Sequence, residues 1–391
     1  MRGVADRLAA DGITDVPLGA ISQTYGGTSI QWWSSAEAIA ACTTPPGSAC
    51  CSYGGSNSCL YNSQIAPYTV GPTGVSAFLW YQGEQNAGCG GPPQLGYYGC
   101  GLAALIADWR AKFKAPAGES KSRTRSASPL PTLPNSHLPT MSDRCDHPRV
   151  IAAPFGAFLL AAWQDGDDPS FPLLRLLQVG AAASIPRVFT ASTLDAGEPN
   201  GGPVHSPFKQ LPGARAAAAL YSLVYGATSA PFLGPRAVSA IAAAPAPGSV
   251  SVTVAFDAAS VSAANALALN LSVACPSTIA AASCEAFAVQ TWPDCVWRAN
   301  ATTAALDASG LRLVLTATGV PAGQQAVATR GLFANWPVVQ LYNEDGLPAE
   351  PWLMNVSAAP GACASPWELA AAREAAPPSA EDARRWASRH A

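Results

Sequence analysis

Charge is what this sequence has least of. Only 12% of its 391 residues are Asp, Glu, Lys or Arg, roughly half the usual share of about 25%. The formal net charge is −3. No broad basic surface exists to neutralise phosphates, so nucleic acid is not expected as a partner. The shortage of charge does not signal disorder, because apolar residues reach 49% and disorder requires low hydrophobicity. No apolar run reaches the roughly 20 residues a bilayer span needs. The stretch 150–163 falls short and is interrupted by Pro154. The opening Met1-Arg2-Gly3-Val4-Ala5-Asp6-Arg7 has no apolar segment of the kind a secretory leader carries. Also missing are a CxxC pair, a GxSxG elbow, a Walker or GxGxxG loop and an HExxH helix, so neither a metal nor a cofactor is predicted.

Cysteine, glycine and proline are plentiful. Gly and Pro number 34 and 35 without a fixed period, which excludes collagen and indicates many turns. Six of the 11 cysteines lie between Cys42 and Cys100, with no histidine nearby. Disulfides fit that pattern better than zinc, and most cysteines of this segment are expected to be paired. Sequons at Asn270, Asn300 and Asn355 agree with a secreted or lysosomal compartment, although sequons also arise by chance in a chain rich in Ser and Thr. The odd number of cysteines leaves one free or paired outside the chain.

The hydrophobic pattern divides the chain. Residues 1–229 read as alternating α and β: apolar runs at Asp15–Ile21, Val75–Tyr81, Phe155–Trp163 and Val188–Leu194 predict strands, and helical spacing predicts helices over Leu102–Phe113, Pro172–Ala183 and Lys209–Tyr225. Strand–loop–helix order predicts parallel strands with sites at their C-terminal ends. Residues 115–149 break the pattern with Lys, Arg, Ser, Pro and Thr and are expected to be an irregular insertion. Residues 230–360 carry alternating, β-branched runs at Ser249–Phe256, Leu267–Val273 and Leu311–Thr316, which predicts an all-β, sandwich-like module. Residues 361–391 are expected to form a helical or disordered tail opening on the capping box Ser365-Pro366-Trp367-Glu368. Nothing in the sequence fixes an oligomeric state.

Chemistry is concentrated in a few positions. Of four histidines, His137 and His147 fall in the irregular insertion and His390 is penultimate. His205 alone follows a strand and precedes a helix, where a general base is well placed. Two Gly-containing turns, Tyr25-Gly26-Gly27-Thr28 and Tyr81-Gln82-Gly83-Glu84, end strand-like runs. Amide groups at such turns can face a developing oxyanion.

These turns sit in longer strings. Val16-Pro17-Leu18-Gly19-Ala20-Ile21-Ser22-Gln23-Thr24-Tyr25-Gly26-Gly27-Thr28, Leu60-Tyr61-Asn62-Ser63-Gln64-Ile65-Ala66-Pro67, Leu79-Trp80-Tyr81-Gln82-Gly83-Glu84-Gln85-Asn86, Ile106-Ala107-Asp108-Trp109-Arg110, Asp168-Pro169-Ser170-Phe171-Pro172-Leu173-Leu174-Arg175, Val204-His205, Asn335-Trp336-Pro337 and Leu341-Tyr342-Asn343-Glu344-Asp345-Gly346-Leu347-Pro348-Ala349 occur in that order. Together they resemble the sialate O-acetylesterase family over about residues 15–355, apart from the insertion. The resemblance implies a three-layer, flavodoxin-like SGNH-hydrolase domain with an added β module. It implies hydrolysis of acetyl esters on O-acetylated carbohydrate through a serine acyl-enzyme. It also implies that His205 is the base, that Gly27 and Gln82 line the oxyanion hole, and that Glu84 orients the loop.

Two departures bear on activity. The family carries its nucleophile in a Gly-Gln-Ser-Asn motif ahead of the first matching string, and this chain has none; it is therefore expected to lack an N-terminal part and to be inactive as it stands. Gly54-Gly55-Ser56-Asn57 is a near-match in the wrong order. Related esterases often place Asp two or three residues before the histidine, where this chain has Pro203 and Gly202, which leaves Asp195 as the candidate acidic partner. The rival reading is a non-catalytic glycan-binding protein, or pseudoenzyme, in which Trp32, Trp33, Trp80 and Tyr97 stack on sugar rings. Sialic acid and acetylated plant-type polysaccharides are equally compatible substrates.

Overall fold

The structure, a computed structural model, describes residues 2–15, 17–42, 55–70, 74–88, 91–113, 152–163, 169–198, 204–227, 231–243, 246–357, 359, 361 and 363. The irregular insertion at 115–149 and nearly all of the tail at 361–391 lie outside these residues. The first part of the chain contributes α1 (Arg2–Ala10), α2 (Ile30–Trp33), α3 (Ala36–Ala40), α4 (Ala66–Thr69), β1 (Phe78–Trp80), α5 (Glu84–Gly88), α6 (Gly91–Lys112), β2 (Phe155–Phe158), α7 (Ser170–Ser184), β3 (Val188–Ala191) and α8 (Gln210–Tyr225). The three strands form one parallel sheet in sequence order. Phe78 stands opposite Phe155, and Phe155 opposite Val188.

The two-residue period of a strand sends successive side chains to opposite faces. Phe78, Trp80, Phe155 and Val188 meet Leu102, Leu105, Ile106 and Trp109 of α6 and Leu174 of α7 in one core. Phe158, Phe189 and Ala191 turn to the other face and pack on Ala216 and Ala219 of α8. Helices thus cover both faces of the sheet. Val4 and Leu8 of α1, four residues apart on one helix face, close against Ala217 and Tyr221 of α8, and the Tyr221 hydroxyl donates to Asp11.

One predicted strand does not form. The apolar run 17–21 is irregular, and most of it is exposed. A strand is stabilised by a ladder partner rather than by its composition, and among the described residues this segment has none: β1 pairs only with β2.

The second part contributes β4 (Ala237–Ala242), β5 (Ser249–Phe256), β6 (Leu267–Leu269), β7 (Cys284–Glu285), β8 (Phe287–Trp292), β9 (Thr302–Leu306), β10 (Arg312–Thr318), β11 (Gln325–Gly331), β12 (Trp336–Pro337), β13 (Leu341–Asn343) and β14 (Trp352–Asn355). An antiparallel sheet of order β4-β5-β10-β9 and another of order β14-β11-β8 share one core. Val250, Val252, Val254, Leu313 and Leu315 of the first meet Phe287, Val289, Ala326 and Trp352 of the second. Disulfides join Cys42 to Cys100, Cys275 to Cys284 and Cys295 to Cys363. Of the other cysteines in the first cluster, Cys59 is unpaired, while Cys50, Cys51 and Cys89 lie outside the described residues. The three sequon asparagines are all exposed. Among the described residues no helix is long and apolar enough to cross a membrane, and no cluster of His, Cys, Asp and Glu could hold a metal.

Arg175 of α7 joins the two parts. It is fully buried, and its guanidinium donates to the carbonyls of Leu160 (2.9 Å) and Ala161 (2.6 Å) on one side and of Ala334 (2.6 Å) and Asn335 (3.2 Å) on the other. Burial pulls its pKa down to about 9, so the group is still cationic at neutral pH. Each acceptor left without a partner costs about 1–3 kcal/mol. Arg175→Ala is therefore expected to lower unfolding stability by about 3 kcal/mol or more in urea titration. Arg175→Lys should recover less than half of that, because a point-charge ammonium cannot reproduce the planar fork. A loss in Arg175→Ala below about 1 kcal/mol would show that water replaces the guanidinium.

Candidate functional site

The two glycine turns singled out by the sequence come together in space. In the first, Gly27 adopts φ +66°, a left-handed conformation that a side chain disfavours. Thr28 closes this turn by donating its hydroxyl to the Tyr25 carbonyl (2.8 Å), and Trp33 Nε1 donates to the same hydroxyl (3.0 Å). Gly27 is exposed, and its N–H makes no hydrogen bond among the described residues. In the second turn, at the C-terminal end of β1, Gly83 adopts φ +145°. A Cβ there would lie 2.6 Å from Leu174 Cδ2, so close packing and backbone conformation both select glycine.

Gln82 links the turns. Its Nε2 donates to the Thr28 carbonyl (3.0 Å) and to Asn86 Oδ1 (2.8 Å). Asn86 Oδ1 also accepts from the Ile30 N–H (2.9 Å), and its Nδ2 donates to Gln31 Oε1 (3.1 Å). Tyr98 Oη and Gln178 Nε2 both donate to the Gln82 carbonyl, at 3.1 and 3.2 Å. Gln82 is buried, and its Oε1 has no hydrogen-bond partner among the described residues. Both amide hydrogens of Gln82 are engaged, so it can donate to a substrate oxygen only by exchanging one of these bonds.

His205 lies on the loop between β3 and α8 and is exposed. Glu84, the first residue of α5, is half-buried. Burial raises its pKa, while the backbone N–H groups of Glu84 and Gly83 and the charges of His205 and Lys209 pull it back. Lys209 Nζ stands 3.2 Å from the Tyr81 hydroxyl and 4.4 Å from the centre of that ring, which docks the β3–α8 loop on the turn after β1. Asp195, at the end of the β3 side, gives both carboxylate oxygens to Arg215 of α8, at 2.6 and 2.7 Å. Tyr342 Oη, from the β part, is 3.4 Å from the same carboxylate, and burial together with Asp195 pushes its pKa up to about 12. The structure therefore gathers Gly27, Gln82, Glu84 and His205 around the C-terminal ends of the parallel strands, with Asp195 held by other partners.

The aromatic residues proposed as sugar platforms do not fit that role. Trp32, Trp33, Trp80 and Tyr97 are all buried in the core shared by the sheet and α6. Trp33 meets Trp80 edge to face at 6.2 Å. A stacking platform needs a bare ring face, and composition alone does not reveal which rings have one. The exposed aromatics beside the site are Tyr25 (47% exposed) and Phe208 (52% exposed). The sequence offered one signal for them: each flanks a site turn, Tyr25 before Gly26 and Phe208 after His205.

No family model matches the chain. Over 101 residues it is 33% identical to the sialate O-acetylesterases of Homo sapiens and Pongo abelii, an overlap of 25% of this chain and 18% of each relative. Over 259 residues it is 24% identical to the sialate O-acetylesterase of Rattus norvegicus, covering 56% of this chain and 42% of that protein. The chain is similar, over part of its length, to sialate O-acetylesterases. That similarity marks it at a coarse level as hydrolase-like, of the esterase kind. The chain spans less than half the length of the curated relatives it matches.

Proposed function

We propose that this protein is a carbohydrate O-acetylesterase of the SGNH type, acting on acetyl esters of sugars in a secreted or lysosomal compartment. The observation that carries this reading is the junction of two amide-bearing turns, through Gln82 and Thr28, beside the loop that bears His205. In this reading a serine hydroxyl attacks the acetyl carbonyl and His205 takes its proton. The carbonyl oxygen, now negative, meets the Gly27 N–H and the Gln82 amide. The tetrahedral centre collapses, the sugar oxygen leaves with the proton from His205, and water then releases acetate from the serine by the same steps in reverse. The exposed rings of Tyr25 and Phe208 offer apolar faces to the sugar.

The test is acetate release by a form of the protein that includes a Gly-Gln-Ser-Asn segment. An O-acetylated sugar is expected to lose acetate, while an N-acetylated sugar without O-acetyl groups should not, because the amide leaving group is far poorer. Equal inertness toward both would overturn the esterase reading. The second reading, a non-catalytic sugar-binding role, is supported by the exposed rings of Tyr25 and Phe208. In that case binding without turnover would depend on Tyr25 and Phe208.

A further inference from the structure

The turn that carries Gly27 has no strand to hold it. Residues 17–27 are irregular and mostly exposed, and an unbroken buried run begins at Thr28 and continues to Ser35. Three hydrogen bonds cross to the start of that run from the turn after β1 and the helix that follows it. Gln82 Nε2 donates to the Thr28 carbonyl (3.0 Å), the Ile30 N–H donates to Asn86 Oδ1 (2.9 Å), and Asn86 Nδ2 donates to Gln31 Oε1 (3.1 Å). Asn86 Oδ1 also accepts the other amide hydrogen of Gln82 (2.8 Å). Thr28, Ile30, Gln31, Gln82 and Asn86 are all buried. The direction of both amides follows from these partners. A backbone N–H can only donate, so Ile30 must meet the Asn86 oxygen. A backbone carbonyl can only accept, so Thr28 must meet the Gln82 nitrogen. Asn86 lies in the first turn of α5, which is closed on the end of β1 by the Ala87 N–H donating to the Gly83 carbonyl (2.9 Å).

We propose that Asn86, directly and through Gln82, is the residue that positions the Gly27 turn against the end of β1. This assignment rests on the reading of the Gly27 N–H as an oxyanion donor. It makes Asn86 a positioning residue: its oxygen and its nitrogen are both engaged by protein groups, and it is 1% exposed, so it meets neither substrate nor reacting atoms. Its effect reaches the reaction because an oxyanion donor works only from a fixed place, about 3 Å from where the negative charge appears. The side chain suits the task. A primary amide offers two acceptor lone pairs and two donors, and Asn86 uses both lone pairs and one donor on the segment and on Gln82. Aspartate would keep the bonds to its oxygen and lose only the donation to Gln31. Alanine would leave the Ile30 N–H and a Gln82 amide hydrogen buried without an acceptor.

The experiment measures the NMR order parameter of the Gly27 amide and the hydrogen exchange of the Ile30 amide, in the 391-residue chain and in Asn86→Ala, Asn86→Asp, Gln82→Ala and Asn343→Ala. Asn343 is an equally buried asparagine of the β part, donating to the Leu233 and Ser260 carbonyls, and it controls for loss of stability alone. Asn86→Ala is expected to lower the Gly27 order parameter from about 0.85 to below about 0.6 and to speed Ile30 exchange about tenfold or more. Asn86→Asp should keep both near their values in the unaltered chain, and Asn343→Ala should move neither. Gln82→Ala should loosen Gly27 while the Ile30 amide stays protected, because Asn86 Oδ1 still accepts it. A Gly27 amide that stays ordered in Asn86→Ala, or that loosens as much in Asn343→Ala, would overturn the assignment. Should Asn86→Ala fail to fold, Gln82→Ala decides by itself: no loss of Gly27 order there sinks the proposal. In a form that includes the Gly-Gln-Ser-Asn segment, Asn86→Ala is expected to lower kcat about 10²-fold with KM little changed; a raised KM at unchanged kcat would count against positioning. The order parameters need no turnover, so a failed acetate assay strikes the functional reading while loss of Gly27 order in Asn86→Ala still upholds the role of Asn86.

Discussion

Assayed on an aryl acetate, the 391-residue chain is expected to react on the order of a million-fold more slowly than a form of the protein preceded by a Gly-Gln-Ser-Asn segment, since removing the nucleophile of a catalytic triad costs about that much. Three serines of this part of the chain, Ser22, Ser56 and Ser206, do not replace it. Ser22 lies in the irregular, exposed stretch before the Gly27 turn. Ser56 is exposed and belongs to a turn in which its carbonyl accepts the Cys59 N–H at 3.2 Å. The preceding Gly55 lies against Trp32, where a Cβ would come within 2.3 Å of the ring. Ser206, next to His205, is buried and accepts the Phe208 N–H at 3.1 Å, which holds the loop that leads into α8. None of these presents a hydroxyl in hydrogen-bond contact with an imidazole, and without such contact a serine is a weak nucleophile. The comparison uses both forms on the same ester. Activity in the shorter form that disappears on Ser56→Ala would make Ser56 the nucleophile and overturn this argument.

Replacing His205 by Ala in the active form is expected to lower kcat/KM on an acetyl ester by about 10⁴- to 10⁶-fold, the range found when a triad base is removed. The effect should fall on kcat, because the imidazole acts on the proton in transit and not on the resting substrate. Stability should hardly change: His205 is exposed and lies outside every helix and strand, and surface substitutions of this kind stay within about 0.5 kcal/mol. Thermal unfolding of the variant separates the two quantities. A variant that keeps near-normal turnover with an unaltered melting curve would remove His205 from the mechanism.

Local periodicity carried much of the fold. The alternation in Ser249–Phe256 marked β5 to the residue, because one face of that strand is buried and the other half-exposed along its length. Apolar spacing placed α7 and α8 within two residues of where they lie. It placed α6 only in part: the helix begins at Gly91, well before Leu102, with Leu95, Tyr97 and Tyr98 buried along the added turns. Glycine-rich sequence reads as loop, and only tertiary burial makes a helix of it. Helix α1 has one short apolar face, too little to stand out until α8 supplies its partner.

The site divides along the same line. The sequence by itself determined which residue types are present and where they stand along the chain: one histidine in regular sequence, two glycine turns after apolar runs, and a shortage of charge that makes each remaining ionic group matter. The tertiary structure alone decided their partners. It bound Asp195 to Arg215, docked the loop of His205 on the turn after β1 through Lys209 and Tyr81, and joined Gly27 to Gln82 through the Thr28 carbonyl. It also buried the four aromatic rings that composition offered as sugar platforms and left Tyr25 and Phe208 exposed. The reason is physical. Helix and strand signals come from spacings of a few residues, which the sequence displays directly. A carboxylate's partner or a ring's free face depends on groups tens to hundreds of residues away, and only the packed chain brings those together.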